Sequence, residues 1–222
     1  MSTDLLPEAL REAVANDLNP VRPLHPAWQR SLVVAVVATL VLASILFGFK
    51  MQLRGDMDQL PMWLSWGCAF LELLVGVLIV GLALREAVPG GAVPIRTVRT
   101  AIITGVALQV LVGIMTWAHS AGVPMGSDWL AKGIGCMTHD IAMILPTFAV
   151  TMWLVFRALP MRAPVAGLLG GAGAALTGDA ITHLLCPMSD LRHVLVWHTG
   201  AVFGFMVLGW FVGVLWARHR WR

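Results

Sequence analysis

Two cysteines, each with a histidine one helical turn away, are the residues of this sequence best suited to chemistry. In Cys136-Met-Thr-His-Asp140, His139 stands at i+3 and Asp140 at i+4, so a helix would place both on the face of the thiol. In Asp179-Ala-Ile-Thr-His-Leu-Leu-Cys186, His183 stands at i−3 and Asp179 at i−7, again on the face of the thiol. Thiolate and imidazole ligate zinc-like and softer metals, and a thiol pair can alternatively oxidise to a disulfide. The third cysteine, Cys68, reads as packing, because a lone buried thiol behaves as a small hydrophobe. Neither terminal cysteine belongs to a Cys-x-x-Cys pair, and no nucleotide loop, nucleophile elbow or zincin motif occurs. The expectation is a protein that is not an enzyme and whose ligand would be a transient soft or transition metal ion at the cysteines.

The elements that position these groups follow from composition. Of the 222 residues, 58% are hydrophobic and only 12% charged, with a mean hydropathy of +0.80. A soluble domain is nearer half apolar and a quarter charged, so this chain lacks the polar surface to coat a water-soluble globule. Disorder and coiled coil are excluded on the same grounds. A membrane-spanning helix needs about 20 mostly apolar residues, and six stretches supply them: 31–49, 61–84, 98–118, 134–156, 164–186 and 194–217. The expected fold is an all-α integral membrane protein, a six-helix bundle over residues 31–217. Residues 1–30 form a cytoplasmic segment and 218–222 a basic tail. In the fifth span, Gly167 and Gly171 make a Gly-xxx-Gly step, followed by Gly173 and Gly178, which predicts close backbone contact with neighbours.

Sidedness follows from the distribution of the fifteen Lys and Arg residues. Lys50, Arg54, Lys132 and Arg192 fall on one side, and the other eleven fall on the opposite side. Both termini are therefore expected in the cytoplasm, with the loops near 55, 125 and 190 facing outward. Cys136 and Cys186 then end the fourth and fifth spans on the outer side, where disulfides can form. His119, His193 and His198 add imidazoles at the outer ends of the third and sixth spans. Glu72, Asp140 and Asp179, costly inside a bilayer, are expected to pair with His and Thr across helices. The net charge of +3 is topological, and no direct contact with nucleic acid is expected.

The amino-terminal segment has its own pattern. Leu6, Leu10, Ala13, Val14 and Leu18 recur at helical spacing, with Asp4 as N-cap and Asn19-Pro20 as the stop. Three turns of amphipathic helix are not stable alone in water, so the stripe must rest on something. Acidic residues at Asp4, Glu8, Glu12 and Asp17 disfavour an anionic lipid surface. The favoured alternative is a helix that folds into a groove of a soluble protein.

The leader Asp17-Leu-Asn-Pro-Val-Arg-Pro-Leu24, the six short-looped spans, Cys136, and Leu185-Cys186-Pro187 followed by Val196-Trp-His198 resemble the negative-regulator-of-sigma-F (NrsF) family. These are bacterial inner-membrane anti-sigma factors paired with extracytoplasmic-function sigma factors. The resemblance implies that the leader, with Leu6, Leu10, Val14, Leu18, Pro20, Val21, Arg22 and Pro23, holds the sigma factor. It also implies that Cys136 and Cys186 sense metal or oxidant, with His139, Asp140, Asp179, His183 and His198 as candidate helpers. The family often has a His before the second cysteine and an acid after the Pro, where this chain has Leu185 and Met188. Two alternatives stay open: a membrane thiol oxidoreductase using a quinone, or a metal or haem carrier with His119 and His198 facing each other.

Overall fold

A computed structural model describes residues 7–17, 23–119 and 126–220 of the chain. Among them there is no strand, and the order is α1 (Glu8–Asp17), α2 (Ala27–Gly48), α3 (Trp63–Glu86), α4 (Ile95–His119), α5 (Trp129–Phe156), α6 (Ala163–Leu185) and α7 (Leu191–Arg220). The last six are long and apolar enough to cross a membrane. α2 starts at Ala27, upstream of the hydropathy boundary at 31. Arg30 joins the helix because its guanidinium donates to the carbonyl oxygens of His25, at 2.9 Å, and Leu84, at 3.0 Å.

α6 is the axis of the bundle. Some 89% of its most apolar window is buried, against 22–44% for the other five long helices. The physical reason is its run of glycines. A Cβ on Gly173 would fall 2.6 Å from the Gly76 carbonyl oxygen of α3, and one on Gly178 would meet the Ile144 Cα of α5 at 2.5 Å. Gly167 and Gly171 sit as closely on the backbone of α7 at Gly209 and Phe205. Close backbone approach replaces side-chain volume as the source of contact, as the Gly-xxx-Gly spacing predicted.

The two ends of the bundle are finished differently. At one end Arg162 grips both carboxylate oxygens of Glu86, at 2.6 and 2.5 Å, and also donates to the Val93 carbonyl oxygen. The Val93 amide donates to the same carboxylate at 2.6 Å, so the two loops at this end are tied together. At the other end Arg54 is buried over the tip of α6. It pairs with Asp56 and donates to Ser189 at 2.8 Å, while its amide donates to the Leu184 carbonyl oxygen. The cysteines lie at this second end.

Candidate functional site

Cys136 enters from α5, two turns after the helix begins, and Cys186 is the first residue beyond α6. Their sulfurs are 3.2 Å apart. Asp190 caps α7 by accepting from the amides of Arg192 and His193, which fixes where that helix starts. His193 Nε2 then lies 3.5 Å from Cys186 Sγ, and His198 Nε2 lies 3.4 Å from Cys136 Sγ. Both imidazoles are buried.

A π-helical turn at Val194–His198 makes this possible. On a regular α-helix, residues five apart point about 140° away from each other. The wider i→i+5 turn brings His193 and His198 onto one face, with ring centroids 5.4 Å apart. Packing holds that turn in place, because a Cβ on Gly133 would fall 2.0 Å from the Trp197 ring. The indole next to His198 thus fills the space that the glycine leaves.

Four ligand atoms, from Cys136, Cys186, His193 and His198, all lie within 4.8 Å of one another. A tetrahedral zinc-like ion with bonds near 2.0–2.3 Å holds its ligand atoms about 3.3–3.8 Å apart. The sulfur–nitrogen pairs at 3.4 and 3.5 Å already fit that spacing, so a Cys2His2 set could close on a metal if the sulfurs, 3.2 Å apart, part by about 0.5 Å and any wider pairs draw in. The same sulfurs need an approach of only about 1 Å to form a disulfide.

A polar layer lies beneath. His198 Nδ1–H donates to Asp179 Oδ1 at 2.8 Å, and Gln109 donates to Asp179 Oδ2 at 2.5 Å. With Nδ1 committed to the carboxylate, Nε2 is directed at the thiols, the arrangement in which a second-shell acid orients a ligating imidazole. Thr182 donates to Asp140 at 2.8 Å. Glu72 Oε2, Gln109 Oε1, Thr116 Oγ1 and Asp140 Oδ2 have no hydrogen-bond partner among the described residues. A cavity of about 20 Å³ touches Glu72, Gln109, Thr116, Asp179, His183 and Cys186, which is room for about one water molecule.

The remaining candidates are placed less centrally. His183 is turned toward α3, with Nε2 3.3 Å from the Leu64 carbonyl oxygen. His139 donates from Nδ1 to the Gly135 carbonyl oxygen at 2.8 Å and is exposed. It lines, with both cysteines, an open vestibule of about 340 Å³. At that mouth Lys132 pairs with Asp128 at 2.9 Å and holds the Asp128 carboxyl below its ordinary range. His119 is exposed and packs edge-on against Trp63, whereas His198 is engaged by Asp179 and Cys136. The two histidines proposed as a haem-holding pair thus have different partners. Cys68 is outside the four-ligand group. On α1, Leu10 and Val14 are 47% and 54% exposed, and none of the helix is buried. Pro23 is exposed, while Leu6, Leu18, Pro20, Val21 and Arg22 lie outside the described residues.

The family model for negative regulator of sigma F (NrsF) matches residues 14–221. The chain belongs to the NrsF family. The family name implies negative regulation of a sigma factor, and with it a sigma-factor partner and a regulatory rather than enzymatic role. No curated protein matches the chain. No solved structure matches it either. For an NrsF chain, the notable gain over its sequence is His193, which helical spacing alone left outside the cluster.

Proposed function

We propose that this NrsF chain is an anti-sigma factor of the bacterial inner membrane. It holds an extracytoplasmic-function sigma factor through its amino-terminal segment and releases it when metal or oxidant engages Cys136 and Cys186. The observation that carries the sensor half is the convergence of two thiols and two buried imidazoles at one end of the bundle. The eleven-to-four distribution of Lys and Arg supports an orientation with that end outside and the leader in the cytoplasm. The holding half rests on α1, whose apolar stripe at Leu10 and Val14 is exposed among the described residues. A 10-residue helix of this kind gains stability only by docking.

Release requires that the two sensor states bind the sigma factor differently. Closing the thiol cluster pulls the ends of α5, α6 and α7 together. A tenfold weaker complex needs only about 1.4 kcal/mol of difference. Affinity purification of the full chain from its own bacterium tests the holding half. The sigma factor should co-purify with the wild type and be lost from Leu10→Asp/Val14→Asp. Its retention at wild-type level by the double variant would overturn this assignment.

A further inference from the structure

The vestibule beside the thiols has the wrong walls for a hydrated ion alone. Its apolar lining comes from Met51, Met143, Leu185, Pro187 and Met188, and its polar groups are Lys132, His139 and Thr182. Its volume of about 340 Å³ lies in the range of small-molecule pockets, which are mostly apolar with a few placed polar groups. A second apolar depression adjoins the vestibule at Met143. It has a volume of about 410 Å³ and lies between α2 and α5, lined also by Leu40, Val41 and Phe49. Leu40 on α2 and Phe49 just beyond its end are 61% and 78% exposed, and on a spanning helix a side chain such as Leu40 faces lipid. Apolar walls thus stand on both sides of Met143, facing the sulfurs on one side and the lipid-facing flank on the other, and a hydrated ion gains nothing from them.

One stripe of α5 presents Lys132, Cys136 and His139 along the vestibule. The ammonium can donate to a carbonyl oxygen. His139, with Nδ1–H given to Gly135, has Nε2 free to accept from a hydroxyl. Carbonyls that become hydroxyls beside a dithiol define a two-electron acceptor. We propose that the vestibule admits a lipid-dissolved quinone, which oxidises the Cys136–Cys186 pair. The proposal rests on the reading of this pair as the sensor and names its oxidant by class.

The chemistry balances. Cys136 Sγ adds to a ring carbon of the quinone as its proton leaves to His198 Nε2, 3.4 Å away. Cys186 then attacks Cys136 Sγ. The S–S bond forms, the C–S bond breaks, and the ring departs as hydroquinone with two electrons and the two thiol protons. Two thiols are oxidised and one quinone is reduced, stoichiometrically for each sensing event.

The test uses the reduced full-length protein in liposomes, with decylubiquinone and the water-soluble oxidant diamide in parallel. Disulfide is read as loss of maleimide labelling and quinone reduction by absorbance. Decylubiquinone should oxidise the wild type with one hydroquinone per disulfide. Met143→Trp, at the residue that lines both the vestibule and the lipid-facing depression, should lower the decylubiquinone-to-diamide rate ratio at least tenfold. Gly135→Leu is a second plug, at a position where a Cβ meets nothing within 4 Å, and should lower the same ratio. A wild type inert to decylubiquinone, or plugs that leave the ratio unchanged, would overturn the proposal. If diamide or zinc still releases the sigma factor from a quinone-inert protein, the sensor reading survives and only the quinone falls. If the Cys136→Ser/Cys186→Ser protein responds to every agent, the sensor reading itself fails.

Discussion

At the scale of single residues, Asp179 controls the cluster without touching a thiol. Its carboxylate, held by Gln109, fixes which nitrogen of His198 faces the sulfurs. Asp179→Asn keeps the shape and removes the charge, so zinc affinity measured by chelator competition should fall about 10- to 100-fold. Unchanged affinity would mean that His198 is not oriented by this acid. Much of this site is legible in the sequence. Cys136, Cys186, Asp179 and His198 can be picked out by residue type and by their position at one end of the spans. His139 and Asp140 illustrate where helical arithmetic stops. Relative to Cys136, residue i+3 lies about 60° to one side and i+4 about 40° to the other. The core lies on the side of Asp140, which is fully buried, and His139 is turned out into the vestibule. His193 was hidden for a different reason: only the π turn puts it beside His198, and nothing in Val194-Leu-Val-Trp-His198 announces such a turn.

At the scale of elements, α6 carries the packing and is the most sensitive helix to added volume. Gly173→Ala would drive a methyl into the Gly76 carbonyl, so the α3–α6 contact must open. The expected cost is about 1–3 kcal/mol, the usual range for overpacking, seen as a lower unfolding midpoint of the detergent-solubilised protein. Gly204→Ala on α7 is the control, since its Cβ meets nothing within 4 Å, and it should be neutral or slightly stabilising. Equal effects of the two would contradict the account of α6 as a backbone-contact axis. The six long helices could be read from hydropathy because each is a long apolar run with charged or Pro/Gly bounds. Their ends were less legible: α5 begins at Trp129 and α2 at Ala27, since hydropathy stops at Lys132 and Arg30 while side-chain pairing carries the helix past them.

At the scale of the whole molecule, the account needs the two halves to lie on opposite sides of one membrane. A reporter enzyme active only outside the cytoplasm should work when fused after Ser127 and fail when fused after Arg218. The reverse pattern would put the thiols in a reducing compartment and remove the basis for disulfide sensing. The leader can act at a distance through α2, which α1 precedes and which Arg30 ties to the end of α3. The central claim is that the state of the thiol cluster sets the grip on the sigma factor. The most direct measurement is the fraction of sigma factor retained on membranes carrying the full chain, before and after zinc or diamide. Wild-type membranes should lose the sigma factor on treatment, and Cys136→Ser/Cys186→Ser membranes should hold it throughout. Equal release from both would contradict the claim.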